Sequence, residues 1–218
     1  IILSPSRAAL QKPFAGEVDA ACMLAGNVKL SPLLRLWLYL IHARHRPDSF
    51  HHAYLQQCPA ELGTPLLWTE AELEGLRATS LYSKVQKHWR YMWQVFQRSV
   101  QPLVEVDPSH FPGDIFTYRA LLWARAICWS RAFPATLARG NKDVNLEDDF
   151  ILCPLLDVFN HCSGAPIDWV EASECGNKCI EFRLPKEARP LVAGAEVFNE
   201  YGHKSSGEYL LHYGFCPS

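Results

Sequence analysis

An apolar run, Ile151 to Leu156, passes straight into a polar turn that carries Asp157, Asn160 and His161. Further along, a second short apolar run reaches Glu200, Tyr201 and Gly202 and opens onto a Ser-rich helix start. Each junction must bury its run while presenting polar side chains at the end of it. Around these two points the remaining elements read as short strands at both ends of the chain. Ile1–Leu3 is expected to be a strand closed by Pro5, and Ile151–Leu156 another. Ile167–Glu171 and Cys179–Leu184 are expected to form a hairpin, with Ile180, Phe182 and Leu184 alternating against Glu181 and Arg183. Val192-Ala193-Gly194 reads as a turn and Glu196–Phe198 as a last strand.

Between the strands lies a block of roughly four helices. Residues 11–30 show no clear period. Ser31-Pro32 then opens a helix: Ser satisfies free N–H groups, and Pro at the first helical position gives up no hydrogen bond. Leu33, Leu36, Trp37, Leu40 and Ile41 form its apolar stripe, which His45-Arg46-Pro47 ends. A short helical stretch is expected around Tyr54-Leu55. Thr69-Glu70-Ala71-Glu72 fits a capping box, followed by a long helix, broken or weakened near Gly75. Its core face is Leu81, Val85, Trp89, Met92, Phe96, Val100 and Leu103. Asp114 to Phe133 reads as a helix apolar almost all round and so deeply buried. Arg139–Asp149 is a polar, acidic loop expected to be mobile and outside the fold. Ser205-Ser206-Gly207-Glu208 is a second capping box, for a short helix over Tyr209–His212 that Gly214 ends. Strands at the ends and helices between them make an α+β chain.

Composition excludes several classes. The 218 residues are 49% hydrophobic and 20% charged, with a net charge of −2, an ordinary globular balance with no field to attract nucleic acid. Lys84, Lys87, His88, Arg90 and Arg98 are then one solvated helix face. No apolar run approaches the ~20 residues of a membrane span, and no signal segment opens the chain. The expectation is an intracellular protein, cytoplasmic or nuclear with organelles left open, bound to no membrane and monomeric. Its eight cysteines are expected to be reduced. Cys175 and Cys179 flank a hairpin turn and lack the tight spacing of zinc modules, so no metal is expected.

The polar residues leave several chemistries open. Asp157, Asn160 and His161 fit a structural turn as readily as a site, since Asn there bonds its own backbone. No G-x-S-x-G elbow, H-E-x-x-H pair or G-x-G-x-x-G cradle is present. Arg131, at the end of a buried helix, needs a carboxylate or a row of carbonyls, or simply faces the helix dipole. Tyr201, neutral at pH 7 with a reference pKa near ~10, is a poor base but a good positioner of a hydroxyl. That suits methyl transfer from a sulfonium, where alignment is the main task.

Taken in order, the motifs resemble one family. Pro154, Leu155, Asp157, Asn160 and His161 match P-L-x-D-x-x-N-H, Glu196 to Ser205 match E-V-F-x-x-Y-G-x-K-S, and Leu210 to Phe215 match L-L-x-Y-G-F. Ser130, Arg131 and Phe133 match S-R-x-F, and the stretches at 36–40, Tyr54–Pro59 and Leu67–Leu73 also agree. This is similar to the SET-domain branch typified by the Rubisco large-subunit lysine methyltransferase. The resemblance implies a SET-domain fold of short strands and hairpins with a large helical insert over about 32–134 and a C-terminal catalytic half over about 150–218. The whole chain, 1–218, would be a single SET domain truncated at both ends. The family's Gly-rich strand-turn is missing, Gly16 and Gly26 being isolated, and its K-S-N reads Lys204-Ser205-Ser206.

The resemblance further implies S-adenosyl-L-methionine as cofactor and transfer of its methyl group to a side-chain nitrogen of a non-histone protein, a lysine first, with histidine open. Tyr201 would be catalytic. Asn160 and His161 would hold the adenine and ribose end, with Lys204 and Phe215 as further cofactor contacts. Arg131 and Asp157 would border both cofactor and substrate lysine, and Ser130 would offer its carbonyl to the amine. The alternative is a SET-like interaction domain without turnover.

Overall fold

The computed structural model describes residues 3–4, 11–135, 150–174, 177–188 and 190–217. The chain divides into two compact units, Pro5–Ser130 with Lys204–Ser218, and Ile1–Ser4 with Arg131–His203.

The first unit is helical. α1 (Phe14–Leu24) lies in the stretch where no period was expected; Phe14, Val18, Ala21 and Cys22 nonetheless fall on one face and are buried, and the helix packs against α6 below. α2 (Pro32–His45) starts as expected, Ser31 accepting the Leu34 N–H at 3.2 Å. It is buried on every side from Leu36 to Ala43, so the predicted stripe understates it. α3 (His52–Gln57) is the stretch around Tyr54-Leu55. α4 (Glu70–Glu74) has both halves of the Thr69 capping box and stops at Gly75.

The long helix is α5 (Ser80–Val95), a wide π turn at Phe96–Val100, and α6 (Gln101–Val106). Pro102 has no N–H to give to the preceding turn and crowds the carbonyl there, which favours a wider turn. The turn also serves packing. In an uninterrupted helix residue 100 would lie roughly 80° round from residue 92; the wide turn unwinds that angle, and Met92, Val100 and Leu103 are all fully buried. α7 (Tyr118–Arg131) is buried throughout from Leu121 to Cys128, as its composition predicts. It begins later than expected because Thr117 caps it, accepting the Ala120 N–H at 3.0 Å. Phe133 is not helical: Pro134 disfavours a helical residue before it, and the chain turns into a strand.

α8 (Ser206–Tyr213) carries the Ser205–Glu208 capping box and is longer than the predicted Tyr209–His212. Gly214 ends it at φ 82°, where a Cβ would lie 2.7 Å from the Gly63 carbonyl carbon. Leu66, Leu73, Leu81, Val85 and Leu211 close one core cluster. Beside it, the buried guanidinium of Arg125 lies 4.1 Å over the Trp129 ring and donates to His88 Nδ1 at 3.3 Å.

The second unit carries the strands. β1 (Ala132–Pro134) pairs antiparallel with β2 (Phe150–Leu152), and Leu3 bridges Leu152. β2 is shorter than the expected Ile151–Leu156 because Pro154-Leu155 turn the chain, Leu155 at φ 77°. β3 (Asp168–Glu174) and β4 (Asn177–Arg183) form the hairpin in continuous register from Asp168↔Arg183 to Glu174↔Asn177. The turn before Ala195 is closed by its N–H on the Val192 carbonyl at 3.0 Å. Glu196–Phe198 is not a strand: beside it the only described pairing is one parallel bridge, His161↔Asn199. Phe133, Ala135, Ile151 and Cys153 form the core of this unit, with Trp169, Ile180 and Phe182 against it.

The acidic loop 139–149 and the side chains of Cys175 and Cys179 lie outside the described residues. Among those described, no helix is long and apolar enough to cross a membrane.

Candidate active site

Asn199 makes the second unit's polar turn into a site. It is 2% exposed. Its N–H donates to the Asn160 carbonyl at 2.8 Å, its carbonyl accepts the Cys162 N–H at 3.0 Å, and its side-chain oxygen accepts the Trp169 indole N–H at 2.7 Å. One residue thereby joins the 160–162 segment, the 199–201 segment and the hairpin.

That junction delivers Tyr201 to His161. The Tyr201 N–H donates to His161 Nδ1 at 3.2 Å, and the two rings stack with centroids 5.2 Å apart. Because Nδ1 accepts, the proton of the neutral ring is on Nε2. The Tyr201 hydroxyl donates to the Phe159 carbonyl at 2.7 Å. Burial holds the phenol above its ordinary pKa, with Arg131 opposing and Asp157 reinforcing the shift. It is therefore a protonated donor at neutral pH, not a base.

Arg131 has both a carbonyl and a carboxylate as partners. Its Nη1 donates to the Asp157 carbonyl at 2.9 Å and lies 3.3 Å from Oδ2 of the same residue, whose side chain is 1% exposed. The pair fixes the Leu156–Val158 turn that precedes Phe159. Asn160 is exposed, with its side-chain N–H₂ donating to Glu196 at 2.6 Å.

Five predicted site residues, Arg131, Asp157, Asn160, His161 and Tyr201, thus share one unit. The other three lie in the helical unit. The Ser130 hydroxyl bonds back to the Ala126 carbonyl at 2.9 Å. Lys204 lies 5.7 Å over the Tyr213 ring, its pKa lowered by burial against an opposing Glu208. Phe215 packs on Tyr209 with centroids 5.6 Å apart. Sequence reasoning missed Asn199, Glu196 as the partner of Asn160, and the Phe159 carbonyl. The available signal was one polar residue, Asn199, directly after Val197-Phe198 where an apolar run should continue.

No protein-family model matches the chain. It is 31% identical over 204 residues to the protein-lysine N-methyltransferase EFM1 of Saccharomyces cerevisiae, an alignment covering 78% of this chain and 34% of that protein. The chain is 27% identical to the actin-histidine N-methyltransferase of Canis lupus familiaris, over 90% of this chain and 31% of that one. Its fold matches the SET domain of LSMT solved with lysine and AdoHcy, at TM-score 0.73 and 24% identity, over 100% of this chain and 46% of that chain. Rubisco LSMT bound to AdoMet matches at 0.69 and 26%, over 100% and 45%. The fold is that of a SET domain. The SET chain spans about a third of the length of the curated relatives it matches.

Proposed function

We propose that the chain transfers methyl groups from S-adenosyl-L-methionine to a side-chain nitrogen of a non-histone protein, lysine ahead of histidine. The observation that carries the reading is the three-point hold on Tyr201: ring on His161, amide on Nδ1, hydroxyl on the Phe159 carbonyl. The relatives' names support a protein substrate and divide between the two acceptors, with the more identical of the two on the side of lysine.

The His161–Asn199 bridge orders the backbone that would meet the cofactor. Asn199 occupies the Asn160 carbonyl and the Cys162 N–H, so the His161 N–H and carbonyl face the other way, as alternate residues of extended backbone do. Asn160, exposed and oriented by Glu196, stands beside them for the ribose. When bound, the sulfonium cofactor supplies an activated methyl with its leaving group already in place.

The chain's own work is then positional. Tyr201, kept protonated by burial, orients its hydroxyl and presents an aromatic face to an arriving cation. The Arg131–Asp157 pair holds the turn from which the Phe159 carbonyl aims that hydroxyl. An acceptor lysine must react as the neutral amine, which an apolar, desolvated approach favours. In this reading the Ser130 carbonyl receives the amine, Lys204 and Phe215 touch the cofactor, and residues of about 32–134 are the helical insert of the SET fold.

Calorimetric titration of S-adenosylhomocysteine tests the proposal. Saturable binding that Asn160→Ala weakens tenfold or more is the expected result. A folded protein that takes up no S-adenosylhomocysteine would overturn it.

A further inference from the structure

Arg35, Arg46, Arg77 and Arg183 each meet a carboxylate, of Asp19, Asp48, Glu74 and Glu181 respectively. Among the described residues Arg44 has none; its guanidinium lies 4.2 Å over the Trp123 ring instead. The platform under it is fixed, since Trp123 is buried and its indole N–H donates to the Pro59 carbonyl at 2.9 Å. Stacking engages the flat face of a guanidinium and leaves the N–H donors of its edge for another partner.

Arg44 lines a cavity of about 250 Å³ between the end of α2 and the start of α7, together with Ile41, His45, Thr117, Arg119 and Trp123. The lining holds three basic side chains and, among the described residues, no acidic one. His45 Nδ1 is already engaged by the Ile41 carbonyl at 2.8 Å, which leaves Nε2 for a ligand. Arg119 Nη2 holds Glu61 Oε2 at 2.8 Å in a pair that is 60% and 77% exposed. An ion pair so exposed contributes little and yields readily to a stronger acceptor. The negative end of α2 borders the same cavity, but side chains take its last carbonyls: His45 that of Ile41, His52 that of Ala43 and Gln56 that of Arg44. The positive end of the α7 dipole adds to the basic groups.

We propose that Arg44, His45 and Arg119 form a binding site for a phosphate group, either free or as a monoester. Such a group carries about −1.5 to −2 charges and offers several acceptor oxygens, which two guanidinium edges and an imidazole match. A single carboxylate would leave part of that set unanswered. Beside the basic groups, Ile41 and Trp123 give the cavity an apolar wall for a small ester substituent. All these residues lie in the helical unit, so the proposal stands apart from the methyltransferase reading.

Calorimetric titration with phenyl phosphate, inorganic phosphate and phenol, in a phosphate-free buffer, tests it. Saturable one-to-one binding of a phosphate compound, with none of phenol, is the expected result. Arg44→Ala is expected to weaken that binding about tenfold or more, as loss of a charged hydrogen bond does. Glu61→Gln frees Arg119 at an exposed position and is expected to tighten binding by up to about fivefold, a readout that stands even where Arg44→Ala does not fold. Tighter binding of phenyl phosphate than of inorganic phosphate assigns the site to a monoester, and equal binding assigns it to free phosphate; both uphold the proposal. A folded protein that binds neither overturns it. So does phosphate binding that Arg44→Ala leaves unchanged or Glu61→Gln weakens, and so does phenol binding as tight as that of phenyl phosphate.

Discussion

The two units resist disturbance in opposite ways. In the helical unit α2 and α7 are buried on every side over most of their length, and apolar clusters spread the stabilisation over many side chains. In the strand-bearing unit the β1–β2 pairing is short, and the polar turn is held by directional bonds, among them Asn199 to Asn160, Cys162 and Trp169, Tyr201 to His161 and Phe159, and Arg131 to Asp157. Mass of apolar contact gives the first its robustness. A handful of hydrogen bonds gives the second its geometry, which is what alignment chemistry requires.

The sharpest way to expose that difference is Tyr201→Phe. Removing one oriented hydroxyl should lower methyl incorporation by about 10²–10³-fold while leaving Tm and S-adenosylhomocysteine affinity near wild type. Loss of folding instead would mean the hydroxyl is structural. Leu73→Ala is the counterpart in the helical unit. The side chain is 1% exposed, so its truncation should cost roughly 2–5 kcal/mol in denaturant unfolding with little change in cofactor affinity.

Asn199→Ala should sit between these two kinds of effect. It strands the Trp169 indole N–H and should cost about 1–3 kcal/mol, yet weaken S-adenosylhomocysteine binding more than Leu73→Ala does. Equal effects on affinity would remove the distinction between the units.

The smallest effect is a pH dependence in the helical unit. Burial lowers His88 from the ordinary 6.5 to about 4, with Arg125 and His212 adding to the shift. The unfolded chain then binds a proton that the folded chain refuses, so stability is full above about pH 6.5 and falls as pH drops toward 4. His42, lowered to about 4 chiefly by burial, acts in the same direction. His88→Gln should flatten part of the slope of Tm against pH over that window. An unchanged slope would assign it to other groups.

What the sequence made legible was whatever is decided locally. Ser31, Thr69 and Ser205 cap helices where their spacing says they should, because a cap and its partner are three residues apart. The hairpin was legible through strict alternation at Ile180 and Phe182. α1 escaped because Gly16 and two acidic residues obscured a face of only four buried side chains. β2 came out short because positive φ at Leu155 is not visible in an apolar run. In the site, motif order pointed to Tyr201, Asn160 and His161. Nothing local marks Asn199 as the residue on which they hang, since its partners Asn160, Cys162 and Trp169 are distant in sequence.

The wide turn at Phe96–Val100 has a consequence for how this helix tolerates changes of length. A π turn is what an α-helix becomes when it absorbs one added residue without rotating its flanks. The exposed positions Gln97 and Arg98 in this turn are therefore where one residue can be removed at least cost. Deleting one of them would return the turn to ordinary pitch with Met92 and Val100 still on one face, whereas a deletion within α5 would rotate everything beyond it by about 100°.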